Sequence, residues 1–342
     1  MFNLKVKSFY KNFKPYLSFF IFFIFLILLR KLEGRIPIDL FDSIVYTSIF
    51  AIAGLGFALL LGYGGLASLG TGAFVGIGIF GLHYLYKYVS FPLLLAIAVV
   101  ILLSIVVSII FGFVSLRISG LYLAIVTLGL SQIVIEVIKN ISYYSSGSTP
   151  GFLIRPRRPL AIFGHQITSG DTIIFIAVFL LMAMIIVKNL MSSPTGRALL
   201  SIKNSPTAAQ TVGINVIKYR LLAFVVSGIY GTIAGILSIM YQKTGNVNTI
   251  EISFALNILA AVIMGGTRSI WGIFLGTFII FGIDLAILNR LGLGTYSILI
   301  SGVLIVLIVM FYPGGIFQIF GDIKKGIKKI INKVRVRLYG NE

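Results

Sequence analysis

The sequence predicts an all-α polytopic membrane protein with about ten transmembrane helices, in the range of roughly eight to ten. Three observations predict it. Of 342 residues, 58% are hydrophobic and only 11% are charged, a balance far from that of soluble domains. The apolar residues fall in long blocks instead of the scattered stripes of a soluble core. Lys and Arg collect between those blocks, unequally on alternate sides.

A span needs ~20 mostly apolar residues to cross ~30 Å of hydrocarbon. Taken in order, such segments are read at 15–32, 40–62, 63–86, 91–116, 119–139, 172–188, 220–241, 253–267, 270–288 and 296–312. The first follows Lys5, Lys7, Lys11 and Lys14, as the core of a signal peptide would. The Arg-Lys-Leu-Glu-Gly-Arg after it offers no small-residue cleavage site, so it is expected to stay as a span. The third and ninth carry glycine-rich stretches, GYGGLASLGTGAFVGIG from Gly62 and GGTRSIWGIFLG from Gly265, which share Gly-Gly-x-x-Ser. Glycine at this density permits helix breaks and close backbone approach, including a small-x-x-x-small contact at Gly72 and Gly76. A turn-rich outer loop is expected at about 140–171 and an inner loop at about 189–219. Residues 1–320 then form one transmembrane domain and 321–342 a basic tail.

With both termini in the cytoplasm, that side receives the four lysines before Pro15, Arg117, five basic residues from Lys188 to Arg220, Arg268 and seven after Phe320. Asp322 and Glu342 are its acidic residues, while the other side holds seven. The positive-inside bias favours this orientation, with the polybasic ends held near anionic membrane lipid. The net charge of +19 therefore reads as membrane topology. No nucleic acid is expected as a partner, because no binding module accompanies the basic residues.

Several chemistries are missing. The dipeptide Gly-Lys never occurs, so there is no phosphate-binding loop and no nucleotide hydrolysis is expected on this chain. Gly76-Ile77-Gly78-Ile79-Phe80-Gly81 fits a dinucleotide fingerprint but lies inside a span with no strand before it. His83 and His165 stand without a carboxylate cluster, so no metal site is expected. Glu136 and Asp284 lie near outer span ends, which leaves no buried acidic relay of the kind that proton coupling uses. Ser68, Thr71, Thr127, Ser131 and Asn257 are neutral polar groups nearer the middle. They either hydrogen-bond between helices or line a translocation pathway.

The inner loop SPTGRALLSIKNSPTAAQTVGIN, Ser193 to Asn215, contains two helix starts. A residue before proline is pushed toward the extended geometry that an N-cap adopts, and proline suits the first helical position. Ser193-Pro194 and Ser205-Pro206 each fit, and Gly213 is a natural stop for the second helix. That helix has under three turns and needs packing to hold it.

Ala208-Ala209-x-x-x-Gly213 resembles the cytoplasmic E-A-A-x-x-x-G motif of bacterial ABC importer permeases, with Thr207 where the motif has Glu and without the downstream Leu-Pro. The wider pattern resembles the branched-chain amino acid permease family of ABC importers, in particular its LivM branch. It runs through Gly62-Tyr63-x-Gly65 with Ser68-Leu69-Gly70, then Leu116-Arg117-x-x-Gly120-x-Tyr122, then Thr195-Gly196-Arg197-Ala198-Leu199. Gly213-Ile214-Asn215, Gly265-Gly266-x-x-Ser269-x-Trp271-Gly272 and Phe311-x-Pro313-x-Gly315 complete it over roughly residues 45–320. Leu66, Thr71 and Arg268 depart from the family's usual Gln, His and Gly, as does Ser146 to Gly151 from its T-G-G-x-x-G.

The resemblance implies a non-catalytic permease subunit in a bacterial plasma (inner) membrane, importing branched-chain or other apolar amino acids. It implies no cofactor on this chain, ATP being used by two ABC ATPase subunits. A homologous second permease subunit and an extracytoplasmic solute-binding protein are its other implied partners. Ser205, Pro206, Thr207, Ala208, Ala209, Gln210 and Gly213 would form the coupling helix that docks on an ATPase. Urea or another small solute is an alternative cargo, and a self-sufficient secondary transporter or channel is the alternative of a different class.

Overall fold

The computed structural model describes residues 2–32, 35–115, 118, 120–146, 152–153, 160–162, 165–288, 291–292, 296–312 and 314–316. The expected outer loop lies partly, and the basic tail wholly, outside these residues. So do Leu116, Arg117 and Pro313 of the family pattern.

The described helices are α1 (Phe2–Lys31), α2 (Ile38–Ala58), α3 (Thr71–Lys87), α4 (Leu93–Ser115), α5 (Leu121–Ser146) and α6 (Ser169–Ser192). Two short helices follow, α7 (Pro194–Asn204) and α8 (Pro206–Thr211), before α9 (Val216–Gln242), α10 (Ile252–Gly265), α11 (Ile270–Thr277) and α12 (Ser297–Phe311). Wider π turns extend α2 over Leu59–Tyr63 and α11 over Phe278–Gly282 and Asp284–Leu288. All ten expected spans fall on helices. Among the described residues, six helices are long and apolar enough to cross a membrane: α2, α4, α5, α6, α9 and extended α11.

Two boundaries differ from expectation for physical reasons. The third span does not begin at 63, because the glycine-rich stretch Gly64 to Gly70 leaves the helix and α3 opens only at Thr71. Near α10, Val247 and Ile250 are buried in a short 3-10 turn ahead of the helix, so the chain enters the bundle before α10 starts.

α9 lies at the centre, packed against α2, α3, α4 and α6. Without a hydrophobic force between helices in lipid, close packing and hydrogen bonds must hold such a bundle. A Cβ at Gly78 of α3 would lie 2.3 Å from the Thr232 carbonyl oxygen of α9, and one at Gly235 would lie 2.1 Å from that of Val75. Backbone therefore rests on backbone here, and Thr232 Oγ1 donates to the Phe74 carbonyl at 3.1 Å beside it.

α1 and α6 run antiparallel and are tied near both ends of α6, from the middle and the last turn of α1. Tyr16 donates to Asn189 Oδ1 at 2.5 Å, and Arg30 meets Asp171 at 3.0 Å. Asp171 also closes a capping box with Thr168 at the start of α6. An exposed ion pair contributes only ~0–1 kcal/mol, so this one fixes register more than it stabilises.

Candidate functional site

Two regions carry the residues singled out in the sequence: the α7–α8 face and the break between α2 and α3. On the first, both Ser-Pro starts form as expected. Ser193 Oγ accepts from the Gly196 N–H and Ser205 Oγ from the Ala208 N–H, with proline in the first turn of each helix. Gly213 takes a φ of +81°, a left-handed turn that glycine makes freely. The Ile214 N–H then reaches back to the Ala209 carbonyl at 3.0 Å.

The packing of α8 splits its residues. Ala209 is buried with Ile202 and Val216, so it anchors α8 to α7 and α9. Pro206, Thr207, Ala208, Gln210, Thr211 and Gly213 are exposed, while Ser205 is half-buried. Val212, outside the coupling-helix residues that the resemblance implies, is 73% exposed. A signal was available, since Val212 is the single large apolar residue between Ser205 and Gly213.

α7 connects this face to the bundle. Leu199 is fully buried in a cluster with Leu59, Leu60, Leu66, Leu123 and Phe224. Lys203 donates through Nζ to the carbonyls of Leu61 at 3.3 Å and Gly62 at 2.9 Å. These carbonyls end the π turn of α2, where a cation satisfies both their lone pairs and the helix dipole. Burial, and then the neighbouring Arg268 guanidinium, lower the Lys203 pKa.

The second region begins where Lys203 grips α2. From Gly65, beside Lys203, the chain runs non-helically to Thr71, which lies near Gly231, past the midpoint of α9. Irregular backbone inside a membrane bundle persists only where protein or a polar cavity satisfies it. Here the Leu66 N–H bonds the Leu60 carbonyl at 3.1 Å. The Leu69 N–H bonds Thr127 Oγ1 at 2.9 Å, and the Gly70 N–H bonds Ser68 Oγ at 3.3 Å. Gly72 and Gly76, expected to make a helix contact, instead seat the turn before α10. A Cβ at Gly72 would stand 2.3 Å from the Ile250 carbonyl oxygen, and one at Gly76 2.6 Å from the Ile250 side chain.

Ser68, Thr71 and Thr127 are thus gathered at the opening of α3, all buried. Ser131, also buried, lies one turn further along α5. Asn257 stands apart on α10, half-buried. The hydroxyls of Ser68 and Thr127 are occupied in closing the backbone of the break. Replacing Thr127 by Val should keep the shape but strand the Leu69 N–H, at about 1–3 kcal/mol. Thermal melting of the purified variant should fall below wild type, while Thr127→Ser should melt close to it; an unshifted Thr127→Val would deny the bond its role.

A family model described as "Branched-chain amino acid transport system / permease component" matches residues 40–309. The high-affinity branched-chain amino acid transport system permease protein LivM of Salmonella typhimurium is 26% identical over 302 residues, covering 80% of this chain and 69% of that protein. The protein of the same name from Escherichia coli matches over the same length at the same identity. The probable branched-chain amino acid transport permease protein LivH of Methanocaldococcus jannaschii is 26% identical over 324 residues, 89% of this chain and 98% of that one. No solved structure matches.

Proposed function

Since the chain belongs to the family of branched-chain amino acid transport system permease components, we propose that it is the membrane-spanning subunit of an ATP-driven importer for branched-chain or other apolar amino acids. The observation that carries this reading is α8: a short, capped helix with an exposed face, tied through Ala209 and Lys203 to the broken end of α2. A chain without a phosphate-binding loop needs such a face to receive work done elsewhere.

In this reading one of two ABC ATPase subunits binds the α7–α8 face from the cytoplasm of a bacterial inner membrane. A homologous permease subunit lies alongside, and a solute-binding protein delivers cargo from outside. No cofactor sits on this chain, and ATP is consumed by the partners. Closure of the ATPases moves Ser205 to Gly213, α7 carries the motion through Leu199 and Lys203, and the chain between Gly64 and Thr71 changes access. Ser68, Thr71, Thr127, Ser131 and Asn257 line the route. The names of the relatives support an amino-acid cargo; urea or another small solute is the second reading, favoured by Leu66 and Thr71 standing where the family usually has Gln and His.

Reconstitution tests it. Liposomes holding this chain alone should take up no labelled leucine, isoleucine or valine under an ion gradient, while the full complex should do so with ATP. Gradient-driven uptake by the lone chain would identify a secondary transporter. ATP-driven uptake of urea in place of amino acids would correct the cargo alone.

A further inference from the structure

α1, α6 and the start of α11 line an open-sided cavity of about 360 Å³ on the α7–α8 side of the bundle. Lys188 and Arg268 supply two cations to its wall, which Ser192 and Ser269 also line. No carboxylate lines it. Among the described residues the two ion pairs are Arg30 with Asp171 and Lys139 with Glu251, so neither wall cation is neutralised by an acid. Lys203 adds a third positive charge beside Arg268. Like charges drawn together raise one another's energy unless an anion joins them.

The cavity also has built walls. Ser269 caps α11 by accepting from the Gly272 N–H at 3.1 Å, which turns the positive end of that helix toward the same space. The Trp271 indole donates to Ser18 Oγ at 3.3 Å and is held edge-on by Phe22. Beside this polar floor, α1 exposes Leu17, Phe20, Ile21 and Ile24, a surface made for hydrocarbon. A charged pocket with a greasy flank at the end of a membrane helix matches an amphiphile with an anionic head.

We propose that this cavity binds the phosphodiester headgroup of an anionic phospholipid from the leaflet on the α7–α8 side, with Lys188 and Arg268 on the phosphate and the acyl chains along α1. The site requires only that the chain is embedded in a membrane, so it stands whether or not the importer reading does. Through Lys188 and Ser192, at the end of α6, the lipid would brace the residues that lead directly into α7.

The test uses the purified full chain in detergent with equal amounts of phosphatidylglycerol and phosphatidylcholine of identical acyl chains, and native mass spectrometry of the retained lipid. At about fivefold per basic residue near an anionic headgroup, the two cations should retain phosphatidylglycerol about 25-fold over phosphatidylcholine. Lys188→Gln and Arg268→Gln should each reduce the preference to about fivefold. Lys218→Gln, on the same face but outside the cavity, should leave it unchanged. Equal retention of the two lipids overturns the proposal, and so does a Lys218→Gln loss as large as that of Arg268→Gln, which would mean diffuse attraction. Displacement of phosphatidylglycerol by millimolar inorganic phosphate would assign the pocket to a soluble anion and overturn the lipid. Wild-type melting of each variant guards against loss of fold.

Discussion

Val212→Asp should cut capture of the ATPase subunits about 30-fold or more while leaving the membrane protein intact. Val212 is 73% exposed at the end of α8, an apolar side chain with no internal use on a face proposed to meet a partner. Truncating or charging the centre of an interface costs about 2 kcal/mol or more, roughly 30-fold in affinity. A surface change of this kind normally shifts stability by only about 0.5 kcal/mol. Co-purification with the co-expressed ATPases should therefore fall about 30-fold or more, with melting and membrane yield near wild type. Undiminished co-purification would remove α8 as the docking element. Ala209→Arg gives the complementary result. Ala209 is 2% exposed against Ile202 and Val216, so the arginine should unseat α8 and lower melting as well as docking.

Gly78→Leu should largely prevent folding. A Cβ there would meet the Thr232 carbonyl oxygen at 2.3 Å and the Gly235 Cα at 2.9 Å. Both obstacles are backbone of the central helix and cannot rotate away. Overpacking a core costs about 1–3 kcal/mol where side chains can yield, and here they cannot. Monodisperse yield after purification should collapse, and any recovered protein should melt well below wild type. Gly129→Leu, on α5 with nothing within 4 Å of the added carbon, should be tolerated. Equal yields from the two variants would mean that α3 and α9 do not meet backbone to backbone.

The contrast between these two glycines marks what the sequence could and could not reveal. Gly78 closes the glycine-dense stretch in which close backbone approach is legible and Gly129 stands alone in its helix; which neighbour arrives opposite Gly78 is what no local pattern tells. Helix positions were legible because apolar length is a one-dimensional property, and Ser-Pro starts were legible because capping is local. The break at Gly64 to Gly70 is visible in the sequence only as glycine density, since Leu66 and Leu69 keep its hydropathy high and carry the apolar run of the third span back to 63. Burial of Ala209 was not legible either, because a helix shorter than three turns has no period from which to read its inward face. Gly72 and Gly76 had the spacing of a helix contact, but the partner that came was the turn at Ile250, far along the chain.

That break has a consequence for how the molecule is made. The Leu69 N–H is synthesised well before Thr127. A chain emerging in order carries an open backbone ahead of the residues that close it. Neither α2 nor α3 can reach its final depth as an isolated hairpin, since a bare peptide group in lipid costs several kcal/mol. The early hairpin has to wait at the interface or in a protected channel until α5 is delivered, so its maturation is timed by a helix that follows it.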